Sequence, residues 1–193
     1  MISKQQKVSI IVPCYNEEKN IIKLFDKIQS TTKDLLEEYI FEIIFVDDGS
    51  NDNTFNEIKK IADKYNYIRG ISLSRNFGSH ISISAGIENV KISDCVIVIC
   101  ADLQEPPELI EGILKKWREG YEVVWTIRNK RSKNFISKFF SKIFYSLFLK
   151  FSDLKDYPKE GPASFFLLDK KVYSNWSRFK ERNRMVLGMI SWM

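Results

Sequence analysis

The 193-residue chain is poor in the residues that most often build metal and redox sites. It has one histidine and three cysteines, Cys14, Cys95 and Cys100, with no CxxC pair. Neither a zinc site nor a disulfide framework is therefore expected. No signal peptide is apparent, and no run reaches the roughly 18 uninterrupted apolar residues that span a bilayer. The expectation is a cytosolic chain with reduced thiols. Two phosphate-binding devices are also missing, the GxxxxGK[ST] loop and the GxGxxG turn. Their absence argues against a P-loop nucleotidase and a Rossmann oxidoreductase. Neither sign of charge dominates: 30 basic against 25 acidic residues leave a net +5, a mild excess that by itself says little about partners. No nucleic-acid partner is expected.

What is present is an ordinary globular composition, 44% apolar and 28% charged, with length for one sizeable core. Four continuous apolar runs, "VSIIVPC" (8–14), "YIFEIIFVD" (39–47), "YIRGISL" (67–73) and "CVIVICA" (95–101), are rich in Ile and Val. Runs without polar alternation predict parallel strands buried on both faces. A fifth, "YEVVWTIR" (121–128), is shorter in its apolar part. Between them, helical spacing appears at 17–30 (Ile21, Leu24, Phe25, Ile28), with Asn16 as the expected N-cap, at 54–65, and at 107–119 before Gly120. Alternating strands and helices predict an open α/β sheet. No repeat, low-complexity segment or linker divides the first 130 residues.

After residue 130 the character changes. "KRSKNFISKFFSKIFYSLFLKF" carries six basic residues and no acid. On a helix, Ile136, Phe139, Phe140, Ile143, Phe144 and Leu147 share an apolar face beside Lys133, Lys138, Lys142 and Lys150. Such a helix can lie in a membrane interface, or equally cover a core with a solvated lysine face.

Ligands of open α/β sheets bind beyond the carboxyl ends of the strands. The four exits read "PCYNEE", "VDDGSNDNT", "LSRNFGSH" and "CADLQEPPE". Each alone has a structural explanation as a turn or helix start, Gly78 supplying a positive φ in the third. Together they form an acid-rich crevice, which a phosphate-bearing ligand would enter only with a cation. Mg²⁺ or Mn²⁺ suits one or two carboxylates completed by substrate phosphates. Asp102 and Gln104, two apart on an extended segment, can face one ion.

The motifs "IVPCYNEEKNI", "IIFVDDGSNDNT", "LSRNFGSHISISAGI" and "ADLQEPPELI", in this order, resemble the family 2 glycosyltransferases of GT-A fold. Within that family they are most similar to the polyprenyl-phosphate group, which includes dolichol-phosphate mannosyltransferase and the bactoprenol glucosyltransferases. The resemblance implies a single catalytic domain over 1–193: a nucleotide-sugar core (8–130), an interface helix (132–151) and an acceptor-side segment (161–193). It implies an open, mostly parallel sheet with helices on both faces. Pro13, Tyr15 and Glu17 would line the base and ribose pocket, and Asp47 or Asp48 would hydrogen-bond the base. Cys100 and Ala101 would touch the nucleotide sugar, Arg128 would help hold the diphosphate, and Asp102 with Gln104 would hold the metal.

The implied reaction is inverting transfer from a UDP- or GDP-sugar to a polyprenyl phosphate at the cytoplasmic face of a membrane. The segment "ERNRMVLGMISW" (181–192) resembles one that precedes transmembrane helices in this family. Two positions depart from the family pattern: Cys100 stands where it has the first carboxylate of Asp-x-Asp, and Ser164 where it has an Asp before Phe165. Transfer to a saccharide hydroxyl, or a catalytically impaired binding or docking module, are the alternatives. A receiver domain is further off, because its paired acids would follow the first strand rather than the second.

Overall fold

The computed structural model describes residues 5–127, 162–181 and 184–193. Arg128 and the basic segment 132–151 lie outside them. Six strands, β1 (Gln6–Cys14), β2 (Tyr39–Asp47), β3 (Ile68–Ser72), β4 (Cys95–Val98), β5 (Val123–Ile127) and β6 (Pro162–Asp169), form one sheet in the order β3-β2-β1-β4-β6-β5. β1 pairs in parallel with β2 and β4, and β2 with β3. β6 runs antiparallel between β4 and β5. The expected open, mostly parallel α/β sheet is the fold observed.

The unbroken apolar runs do what their composition predicts. Every residue of β1 from Val8 to Cys14 is buried. Val8, Ile10, Val12 and Cys14 point to one face, with Tyr39, Phe41, Ile43 and Phe45 of β2. Three helices cover that face: α1 (Ile21–Thr32), α2 (Thr54–Lys64) and α4 (Leu109–Arg118). Ile11, Ile44, Val96 and Val98 point the other way, under α3 (Ser79–Glu88) and α6 (Val186–Trp192). Each fully buried Ile or Val here contributes roughly 1.5–3 kcal/mol of transfer free energy.

Two local expectations are corrected. Asn16 does not cap α1: it sits at φ 55°, and the helix starts at Ile21 behind Asn20. The reason is that Asn16 is engaged by the β2 exit, as described below. β6 is also a strand that sequence analysis did not identify. Its core "SFFLL" is short, and its neighbours in the sheet are distant in sequence. Only the docking between β4 and β5 shows what it buries. Asp169 secures its end, accepting a 2.7 Å bond from Trp117 Nε1 of α4 and one of 2.8 Å from Lys171 N, where the short α5 (Lys170–Tyr173) begins.

α3 lies close against β1. A Cβ at Gly86 would fall 2.3 Å from Ile11 Cγ2. Alanine is preferred to glycine in a helix by about 1 kcal/mol, so packing is what requires glycine here. Gly86→Ala is expected to destabilise by roughly 1–3 kcal/mol through overpacking. Ile11→Ala alone leaves a cavity costing about 2–5 kcal/mol. Urea unfolding of both singles and the double variant should show the double losing less than the sum.

Candidate functional site

β1 has β2 on one side and β4 on the other, and the chain reaches β4 only after building outward to β3. This reversal opens a crevice beyond the carboxyl ends of β1 and β4, where ligands of such sheets bind. It encloses about 240 Å³. From the β1 exit it is lined by Pro13, Cys14, Tyr15 and Glu17, and from the β2 exit by Asp48. The β3 exit and the start of α3 supply Asn76, Gly78, Ser79 and Ser82; the β4 exit supplies Cys100, Ala101 and Asp102.

The β1 and β2 exits are laced together by reciprocal hydrogen bonds. Asn16 N donates to Ser50 Oγ at 2.8 Å, and Asn51 N donates to Asn16 Oδ1 at 2.9 Å. Glu17 N donates to Thr54 Oγ1 at 2.8 Å, Glu18 N to Asp52 Oδ2 at 3.2 Å, and Asn53 N to Glu18 Oε2 at 3.1 Å. Burial alone would raise the Asp52 carboxyl. Bonds from the Thr54 hydroxyl, Thr54 N and Glu18 N outweigh it and hold the group below the usual carboxylate range. These bonds order the polar loops and present Tyr15, 39% exposed, at the mouth of the crevice.

The acidic pair divides. Asp47 accepts from Ser50 N at 3.2 Å and from the Ser72 hydroxyl at 3.4 Å, and it does not line the crevice. Asp48 does line it. Its Oδ1 accepts from Phe77 N and its Oδ2 from Gly78 N, both at 2.8 Å. Cys14 is buried, and its thiol donates to Val46 O at 3.3 Å. Burial, then the charges of Asp47, Glu17, Asp52 and Asp48, push its pKa well above the ordinary thiol value. Cys14 is a packing residue, not a nucleophile.

At the β4 exit, Ile99 N and Ala101 N still reach Ile11 O and Pro13 O, at 3.0 and 3.4 Å, so extended backbone continues past the end of β4. Leu103 then turns at φ 56°, and Gln104 N donates to Asp102 Oδ1 at 3.1 Å. Asp102 is half-buried at the crevice, whereas the Gln104 side chain is exposed and outside its lining. Among the described residues no group of three or more His, Cys, Asp or Glu could hold a metal ion. One carboxylate and a neighbouring amide do not suit zinc. They do suit a hard cation that takes its other ligands from substrate phosphates and water.

Ser164 lies half-buried on β6. The pairing of β4 with β6 ends at Val98 and Phe166, two residues short of Cys100 on one strand and of Ser164 on the other. Ser164 itself does not line the crevice. The sequence-derived site residues did not include Asn76, Gly78, Ser79 or Ser82. The signal was the polar "NFGSH" exit, read only as a turn; Gly78 does adopt the expected positive φ, 91°. A larger groove of about 580 Å³ is lined by Asn175, Arg178, Phe179, Glu181, Trp192 and Met193.

The chain is 37% identical over 188 residues to an uncharacterised glycosyltransferase of Synechocystis, covering 97% of this chain and 58% of that protein. It is 39% identical over 148 residues to the undecaprenyl-phosphate 4-deoxy-4-formamido-L-arabinose transferase of Proteus mirabilis, covering 76% of this chain and 44% of that one. The chain thus spans about half the length of these curated relatives. A mannosyltransferase from Pyrobaculum calidifontis, solved with GDP-Man and Mn²⁺, shares the fold with a TM-score of 0.60 at 18% identity, over 90% of this chain and 47% of that one. The profile of Glycosyl transferase family 2 matches residues 9–177, and the chain belongs to that family.

Proposed function

We propose that this chain is the catalytic domain of a metal-dependent, inverting glycosyltransferase that moves a sugar from a UDP- or GDP-sugar to a polyprenyl phosphate. The observation that carries the reading is the single crevice into which Pro13, Tyr15, Glu17, Asp48, Cys100, Ala101 and Asp102 converge. The undecaprenyl-phosphate transferase among the relatives supports the acceptor class. The neighbour holding GDP-Man and Mn²⁺ supports the donor class and the cation.

In this reading Tyr15 offers a flat aromatic face at the mouth of the site, and Glu17 and Asp48 supply acceptors for the ribose and base. Asp102 holds Mg²⁺ or Mn²⁺, with Gln104 beside it. When bound, the cation neutralises charge developing on the leaving diphosphate. An acceptor phosphate oxygen bonds to the anomeric carbon from the face opposite the diphosphate. The bond from that carbon to the diphosphate oxygen breaks, and its electron pair leaves with the nucleoside diphosphate. A phosphate ester is already ionised at neutral pH, so no residue need act as general base. Where the family pattern has carboxylates, this chain brings the thiol of Cys100 to the crevice and carries the hydroxyl of Ser164 on β6, outside the crevice lining. Arg128, the basic segment 132–151 and a position at the cytoplasmic face of a membrane belong to the same proposal. Among the described residues no helix is long and apolar enough to cross a membrane.

Calorimetric titration with UDP and GDP, each with and without Mn²⁺, tests the reading. One nucleotide should bind, and only with the metal. Failure of folded protein to bind either would sink it.

A further inference from the structure

Another cavity, of about 440 Å³, opens on the face of the sheet that α1 and α2 cover. Its floor is Phe41 and Ile43 of β2, both buried. Ile43 precedes Asp47 along the strand by four residues and Phe41 by six. At about 3.3 Å per residue the floor lies roughly 13–20 Å from the acidic pair. The cavity shares no lining residue with the crevice, and its volume is that of a small-molecule site.

Its walls are aromatic and charged at once. Phe25, Tyr65 and Tyr67 form a ladder of tilted rings with centroids 5.1 and 5.6 Å apart, and the ladder ends at Tyr67 on the cavity wall. Phe41 also lines the cavity and packs on Tyr39 at 5.9 Å, not on Tyr67. Two rings therefore border a space that no described ring fills. Gln29 Nε2 donates to the Tyr67 phenol oxygen at 3.0 Å. That bond uses a lone pair and leaves the O–H as a donor. Asp26 and Lys33 line the cavity from the α1 side, seven residues apart and so about 10 Å along the helix. Both are exposed, and neither side chain pairs with the other or with another described residue. Opposite charges on a helix meet directly at a spacing of three or four residues. At seven, they are placed to share a ligand that carries both charges.

We infer that this cavity is a second binding site, for a small zwitterion with a flat aromatic side chain, the chemistry of an aromatic amino acid. The ring lies on Ile43 beside Phe41 and Tyr67, an arrangement that aromatic pairs favour. The ammonium faces Asp26. The carboxylate faces Lys33 and accepts the Tyr67 O–H. An aromatic acid without the ammonium would meet the Asp26 charge unbalanced, and an aromatic amine without the carboxylate would meet that of Lys33. This inference does not depend on what the crevice binds.

The test is calorimetric titration at low ionic strength, where exposed charges act most strongly. The probes are tryptophan, indole-3-propionate, which lacks the ammonium, and tryptamine, which lacks the carboxylate. Tryptophan should bind one-to-one, and each analogue at least about tenfold more weakly, the scale of one hydrogen bond to a charged group. Asp26→Asn should weaken tryptophan about fivefold, the upper range for an exposed ion pair, and leave indole-3-propionate no weaker. Lys33→Gln should weaken tryptophan to a similar extent and leave tryptamine no weaker. Both positions are exposed, so neither variant should melt lower than wild type. Absence of saturable tryptophan binding by the folded chain overturns the inference. So does equal binding of the three probes, or tryptophan binding that both variants keep in full.

Discussion

Asp102→Asn is expected to abolish Mn²⁺-dependent nucleotide binding and to lower turnover by at least about 100-fold, the scale of losing one preorganised electrostatic group at a developing charge. The substitution changes charge and little else. Asp102 Oδ1 accepts a hydrogen bond from Gln104 N, and an asparagine oxygen accepts it equally well. The side chain is half-buried, so no large packing defect follows. The melting temperature should stay where it is. The cation, by contrast, loses the carboxylate proposed to hold it, that of Asp102 at the crevice. Hard divalent ions bind weakly to a neutral amide when no second carboxylate shares the load. Calorimetry with Mn²⁺ and the preferred nucleotide, beside a turnover assay, reads both effects. Retained metal-dependent binding in Asp102→Asn would place the ion elsewhere.

The second large effect is on stability, at Gly49. This residue follows the acidic pair at φ 68°, a conformation that costs a side-chain-bearing residue about 1–2 kcal/mol. A Cβ there would also lie 2.5–2.9 Å from the carbonyl carbon, Cα and oxygen of Arg75. Those are backbone atoms and cannot rotate away. The β2 and β3 exits must separate instead, at a further roughly 1–3 kcal/mol. Gly49→Ala should therefore lower the melting temperature by roughly 4–20 °C, at about 2–4 °C per kcal/mol for a chain of this size. Nucleotide binding should fall as well, because Arg75 leads directly into Asn76 and the loop that Asp48 holds. Gly112→Ala is the control. It lies within α4 with nothing within 4 Å of the added methyl, so it should melt no lower than wild type. Equal melting of the two variants would show that the exits are not in the close contact described.

Both experiments probe loops whose importance is only partly legible in the sequence. The order of strands and helices through residue 120 follows from local signals. Runs dominated by Ile, Val and Phe resist solvation on either face, so the stretches 8–14 and 43–47 had one stable outcome, a sheet covered on both sides. The polar exits are legible for the same reason: acids and amides directly after buried strands must face a solvent-filled space. Pro13, Tyr15, Glu17, Cys100, Ala101 and Asp102 were identified from that pattern and the family resemblance, and the fold gathers them at one crevice.

Other features depended on long-range contacts that no local pattern records. β6 is a strand because a gap between β4 and β5 accepts it, antiparallel, from residues more than 60 positions beyond the start of β4. Asp47 and Asp48 are adjacent and chemically identical, yet only the second lines the crevice, since successive residues of an extended segment point to opposite sides. Asn16 looked like a helix cap from its neighbours. It became part of a cross-loop bond because Ser50 and Asn51 arrive beside it only once β1 and β2 have paired. The sequence by itself determined the class of fold and the chemistry collected at the strand ends. Tertiary structure decided which of those side chains face the ligand and which hold the loops, because that choice depends on contacts between segments distant along the chain.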